Sequence, residues 1–250
     1  MDQASAFSFD MSYCGLPPVP GDLWSRWNFE PGLLAGLVLT ALAGIYALRT
    51  APRGRKTAFA GAWALAAILF VSPLCALTVS LFSARVSHHV LLTMAVAPLL
   101  ALSLPSHWGQ RMGLLLPLTL STVALWLWHS PDLYTAAFAH PAIYWAMQLS
   151  LLASFTWLWL GLFGAPSAMS AAGTALASAT QMGMLGALLV FAGQPLYVPH
   201  FATTAGFGLS PHDDQQLAGL IMWVPANLPL LALALWRLVD ALAPRREAAE

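Results

Sequence analysis

Charge is scarce in this chain. Only 8% of its 250 residues are Asp, Glu, Lys or Arg, and ten acids balance ten bases. A soluble globular domain carries about 25% charged residues. So dilute a surface excludes a soluble domain, and a net charge of zero excludes an electrostatic grip on nucleic acid. Cysteine is nearly absent too. Cys14 and Cys75 are too few for a disulfide framework or a CxxC metal knuckle. Whether the two pair depends on whether the N-terminal tail reaches Cys75. Lysine occurs once, at Lys56. The chain has no GxSxG, Walker loop, HExxH or GxGxxG, so an enzyme with its own turnover is not expected. A cleavable leader is not expected either, because the first thirty residues carry four acids against Arg26 and no apolar core.

What fills the chain is apolar side chain, at 59% of residues and a mean hydropathy of +0.71. A helix needs about 20 apolar residues to cross the hydrocarbon layer. Seven stretches qualify, at roughly Pro31–Leu48, Ala58–Phe82, His88–Leu104, Met112–Trp128, Pro141–Phe163, Ala175–Phe191 and Gln215–Val239. The expected fold is therefore all-α, a polytopic membrane protein built as a seven-transmembrane-helix bundle. Arg49, Arg53, Arg55, Lys56, Arg111, Arg237, Arg245 and Arg246 then share one side. By the positive-inside rule that side is the cytoplasm, which puts the N-terminus outside and the C-terminus inside. Trp24, Trp27, Trp108, Trp128 and Trp236 near span ends fit an aromatic belt. Seven spans in this orientation suggest a retinal protein, but Lys56 lies in the first inner loop rather than the last span. That reading fails.

On this topology six of the seven histidines fall at the outer face: His88, His89, His129, His140, His200 and His212. Only His107 falls on the other side. Imidazole is a transition-metal ligand and is costly to leave unpaired in lipid, so the clustering suggests a site. Each histidine also has a plainer reading. His88 and His89 open the third span, where they could simply contact headgroups, and being about 100° apart only one easily faces the interior. Arg85 just before them opposes a cation. His129 could cap a helix C-terminus or serve as a ligand oriented by Asp132. Asp213 and Asp214 suit the start of the last span, one of them as a cap. Met222 lies eight residues beyond Asp214, close to the same face and about 12 Å deeper, and Gly219 would allow close packing. Met94, Met147, Met182 and Met184 are soft donors or plain filler.

The strings DDQQLAGLIMWVP, LWHSPDLYTAAFAHP and VLLTMAVAPLLAL resemble the multi-pass CtaG family of cytochrome c oxidase assembly factors, over the third to seventh spans. DQQLAGLIMW is the most specific of them. Matching positions are His89, His129, Pro131, Tyr134, Asp214, Gln215, Gln216, Gly219, Met222 and Trp223. Two departures stand out. The family pattern places a histidine four before His89, where this chain has Arg85. It also has a histidine pair early in the fifth span, where this chain has Tyr144 and Gln148.

The resemblance implies a bacterial inner-membrane protein with a periplasmic tail over residues 1–30, a membrane domain over 31–240 and a short cytoplasmic tail over 241–250. It implies partnership with cytochrome c oxidase subunits within the lipid bilayer, and with a periplasmic copper chaperone. Copper is the expected metal. Its candidate ligands are His89 and His129 first, then His140, His200, His212, Asp214 and Met222, with Cys14 as a further donor. Two alternatives stand beside this one. One is a metal-free structural partner of an oxidase subunit; the other is a haem b electron carrier using His88 or His89 with His129.

The orientation predicts that alkaline phosphatase inserted between residues 192 and 210 is active, and that a fluorescent protein at the C-terminus matures. The reverse pattern would invert the topology.

Overall fold

A computed structural model describes residues 12–111 and 113–242, apart from the Gln110 side chain. The first eleven residues, Met112 at the expected start of the fourth span, and 243–250 with Arg245 and Arg246 lie outside that description. Among the described residues the fold is helical throughout, without strands. Helices α1 (Pro31–Ala47), α2 (Arg53–Val71), α3 (Pro73–Ser80), α4 (Phe82–Leu91), α5 (Ala97–Ser103) and α6 (Ser106–Gln110) form the first half. Helices α7 (Leu115–Trp128), α8 (Pro131–Ala139), α9 (Pro141–Gly164), α10 (Ala168–Phe191), α11 (Pro211–Trp223) and α12 (Leu228–Leu242) form the second.

Five rods are long and apolar enough to cross a membrane: Arg53–Val71, Phe82–Ser103, Pro141–Gly164, Ala168–Phe191 and Pro211–Leu242. Pro31–Ala47 and Leu115–Trp128 are apolar but shorter. Leu39, Ile45, Leu115, Phe191, Leu235 and Trp236 stand exposed around the outside. In water such an apolar surface would drive association, whereas hydrocarbon accepts it.

Proline sets most of the helix starts. Pro31, Pro73, Pro131, Pro141 and Pro211 each open a helix, where a missing N–H costs nothing and φ is already helical. Pro73 therefore divides the expected second span, and α3 is a separate short helix. The third span begins at Phe82, two turns before His88, so both histidines lie inside a helix instead of opening it. The sixth begins at Ala168, earlier than Ala175, because only Ala165–Ser167 interrupts the chain.

Two irregularities lie within the rods. Between α4 and α5, Leu92–Val96 forms a π turn, in which the Ala97 N–H reaches back to the Leu92 carbonyl. Such bulges re-aim a helix and recur at functional sites. Between α11 and α12, Pro225 breaks the ladder, and the Asn227 amide donates to the Trp223 carbonyl at 2.9 Å. A freed carbonyl deep in a bundle needs such a partner.

The two ends of the bundle differ. At one, Arg55 donates to the Ser103 carbonyl, Lys56 to the Arg49 carbonyl and Arg237 to the Ala165 carbonyl. At the other, Cys14 and Cys75 are joined in a disulfide with Cα atoms 5.4 Å apart, which ties the tail down. Ser80 donates to the Pro18 carbonyl at 2.8 Å, and Tyr13 stacks on Tyr144 at 4.8 Å. Glu30 caps α1 by accepting from the Gly32 and Leu33 N–H groups, which hold its carboxyl below the usual range. Trp128 is not a belt residue: it is buried and donates to the Ser150 hydroxyl at 2.8 Å.

The DDQQ string is structural cement at the tail end. Asp213 forms a capping box with Ser210 for its own helix. Asp214, fully buried, caps a different helix: it accepts from the Phe82 N–H at 2.6 Å, the Ser83 N–H at 3.1 Å and the Ser83 hydroxyl. Gln215 donates to the Leu189 carbonyl at 3.2 Å and accepts from the Leu196 N–H at 2.7 Å, while Gln216 donates to the Val190 carbonyl at 3.2 Å. Below them α10 and α11 touch through glycine. A Cβ on Gly219 would meet the Gly186 carbonyl at 2.6 Å, and one on Gly186 the Gly219 carbonyl at 2.8 Å.

Asp214→Ala leaves three buried donors on α4 unpartnered and should cost about 3 kcal/mol or more. Asp213→Ala, on the exposed capping box, should cost about 1 kcal/mol. Unfolding of the purified variants in mixed micelles measures both. Equal losses would remove the interhelical role of Asp214.

Candidate functional site

Asp214 fixes more than a helix end. Because it sits at the start of α11 and binds the start of α4, the two helices set out together and run in parallel. His89 lies seven residues beyond Phe82, and Met222 eight beyond Asp214. At 1.5 Å per residue both arrive about 10–12 Å from the lock, at one level. There they line a common cavity with His129, Met182, Thr93 and Leu125, among others. The cavity is about 10 Å³, room for an ion or a water and none for a porphyrin. That space disfavours the haem reading.

The pair placed first from the sequence is thus brought together. His89 and His129 are 4% and 5% exposed, and their ring centroids are 6.0 Å apart at a steep 81°. His129 ends α7, where its Nδ1–H donates to the Leu125 carbonyl at 2.7 Å. A carbonyl can only accept, so Nε2 of His129 carries the lone pair. The expected orienting group was Asp132, but that side chain is exposed in the first turn of α8. Tyr197 holds the same corner by donating to the His129 carbonyl at 2.8 Å. On His89, Nε2 lies 3.4 Å from the Gln148 amide nitrogen, and buried Nδ1 has no hydrogen-bond partner.

The headgroup reading of His88 and His89 is overturned, since both are buried. Nor does only one face the interior. His88 packs edge-on against Phe70 with centroids 5.0 Å apart, while His89 turns toward His129. The Leu69 carbonyl lies near His88, yet neither ring nitrogen makes a hydrogen bond.

The remaining candidates divide. His200 is buried, with Nε2 2.7 Å from the Tyr134 hydroxyl, and burial, with the Arg85 charge nearby, pushes its imidazole down to about 3. His200 is therefore neutral. It packs against Phe82 and Phe138 rather than lining the His89 cavity. His212 donates to the Ala192 carbonyl at 3.0 Å. His140 is exposed between α8 and α9. The oxygens of Asp214 are committed to α4. Cys14, being in the disulfide, offers no thiolate. Of the methionines, Met182 and Met222 reach the histidine cavity. Met184 is exposed, and Met94 and Met147 are core.

Sequence reading missed the surroundings. Arg85, 1% exposed, lies with its guanidinium carbon 4.5 Å from the Phe138 ring centre, 5.5 Å from that of Tyr144 and 5.8 Å from that of Tyr134. Arg85, Tyr144 and Gln148, the residues of the two departures from the family pattern, therefore sit beside His89 in one contiguous patch. Their shared departure was the only available signal. A larger cavity, about 890 Å³ and mostly apolar, opens beside α1 and α2; Gln148 lines it, but no histidine does.

Among the described residues no three His, Cys, Asp or Glu side chains converge as a metal cluster. What lines the cavity together is two imidazoles and two thioethers, all buried. A soft, low-coordinate ion fits that donor set. Within this group the buried Nδ1 of His89 has no hydrogen-bond partner in the protein.

No curated protein and no solved structure matches the chain. The profile of one family, described as cytochrome c oxidase caa3 assembly factor (Caa3_CtaG), matches residues 37–243. That span holds both histidines, both methionines and the locks that position them, and the chain belongs to this Caa3_CtaG family of cytochrome c oxidase assembly factors.

Proposed function

We propose that the chain is a seven-span protein of the bacterial inner membrane that binds copper at its periplasmic end while an oxidase subunit matures. The family assigns it to oxidase assembly, and so to association with cytochrome c oxidase. The single observation that carries the copper reading is the cavity shared by His89, His129, Met182 and Met222. When bound there, copper would be the cargo handed to the subunit. The chain's own residues hold and orient it: the Leu125 carbonyl fixes the His129 tautomer, and the Asp214 lock sets the depth of His89 and Met222.

The charge distribution supports the orientation. Arg49, Arg53, Arg55 and Lys56 gather at the end away from the histidines, as does Arg237. The Cys14–Cys75 disulfide lies at the histidine end, and disulfides persist on the oxidising side of a bacterial membrane. A periplasmic copper chaperone would therefore meet the histidine end.

A second reading keeps the oxidase partner and drops the metal. The buried Arg85 cation and the lack of a three-residue His, Cys, Asp or Glu cluster among the described residues favour it. On that reading the chain is a structural scaffold that docks on a subunit.

Purified protein should retain one equivalent of copper, and the His89→Ala/His129→Ala double variant should lose it while keeping its helical spectrum. Unchanged copper in the double variant would sink this site. Co-purification of an oxidase subunit that survives a strong copper chelator, from protein that never holds copper, would establish the scaffold instead.

A further inference from the structure

Among the described residues Arg85 is a buried cation without a counter-ion. Among the described residues the ion pair is Arg26–Asp22, in the tail. Nη1 of Arg85 has no hydrogen-bond partner, and Nε reaches the Thr78 carbonyl at 3.4 Å. Its charge rests on the faces of Phe138, Tyr144 and Tyr134. The nearest buried carboxylate along the fold, Asp214, spends its lone pairs on α4. Arginine does not shed its proton inside proteins, so the positive charge is permanent.

Its position gives that charge a target. Arg85 precedes His88 by three residues and His89 by four on one helix, so it lies on their face, one turn toward the helix start. The four donors around the neighbouring cavity carry no negative charge that could offset the Arg85 cation. Repulsion between Arg85 and a bound ion rises in proportion to the charge on that ion, and it is weakly screened in a dry interior. A divalent ion meets twice the penalty of a monovalent one. Thioethers push the same way, being poor partners for hard divalent ions.

We propose that Arg85 is the oxidation-state selector of the copper site, admitting monovalent Cu(I) and turning away Cu(II) and Zn(II). This rests on the copper reading above. Arg85 is a positioning residue that works through the field. It does not touch the ion. The placement also accounts for the tolerance of a cation four residues before a metal-binding histidine, because a singly charged ion with soft ligands survives beside it.

Binding of Cu(I), Cu(II) and Zn(II) to the full-length protein in micelles, by competition with chromogenic chelators, tests the proposal. Wild-type protein should prefer Cu(I) over both divalent ions. Arg85→Met and Arg85→Gln, two neutral variants of similar length, should raise Cu(II) affinity relative to Cu(I) about tenfold or more, the scale on which removing one buried unit charge acts. A tenfold change lowers the potential of the bound one-electron couple by about 59 mV. Arg85→Lys should keep the wild-type preference at a pH low enough to hold its buried ammonium protonated. Retained Cu(I) binding with an unchanged Cu(II) to Cu(I) ratio in either neutral variant overturns the selector role and leaves the copper reading standing. Wild-type protein that binds Zn(II) as tightly as Cu(I) overturns it without any variant. Wild-type protein that holds no copper in either state overturns both.

Discussion

The carboxylate of Asp214 gathers the start of α4 onto the start of α11, and much of the candidate site follows from that contact. Two unsatisfied backbone N–H groups at a helix start would be costly in an apolar bundle, and one buried carboxylate answers both, along with the Ser83 hydroxyl. Since the two helices run in parallel from there, a seven-residue step along one and an eight-residue step along the other end at the same depth. That is how a histidine on α4 and a methionine on α11 come to share a cavity. Gly186 and Gly219 then let α10 press against α11 and bring Met182 to the same place.

The site so built is unusual in its charge. No Asp, Glu, Lys or Arg lines the cavity, Arg85 lies one turn before His89 on α4, and the polar groups around Arg85 are tyrosines and a backbone carbonyl. Buried ions generally require pairing. Arg85 instead spreads its charge over three aromatic rings and one carbonyl, and this ties the tail end of α9 to α4 through Tyr144. The disulfide-held tail closes over that region, with Tyr13 stacked on Tyr144 and Cys14 buried beside it. A fixed cation, a pair of imidazoles and the disulfide-held tail are thus gathered at one end of the bundle.

Residue by residue, the sequence showed the rods and the histidine-rich end but mistook the purpose of several side chains. The apolar runs were long enough to read as helices, and their boundaries slipped where proline sets an N-terminus, as at Pro73, or where the preceding residues were polar yet helical, as at Phe82–Ser87. The DDQQ string carried the family likeness, and it is architectural: its side chains satisfy backbone groups on α4, α10 and the loop at 194–196. His140 and His212 resembled ligands because they share a face with His89, but a shared membrane depth does not imply convergence. Arg85 looked like an obstacle at the surface because its burial depended on partners from α8 and α9.

Length, hydropathy, the asymmetry of basic residues and the proline positions are local properties, and they determined the helical rods and the end of the bundle that carries imidazole. Which helix Asp214 caps, which methionines reach His89 and His129, and what surrounds Arg85 were decided only by the tertiary structure. Each joins residues dozens to more than a hundred positions apart, where no periodicity in the chain carries the information. The sequence supplied the donors, and packing chose among them.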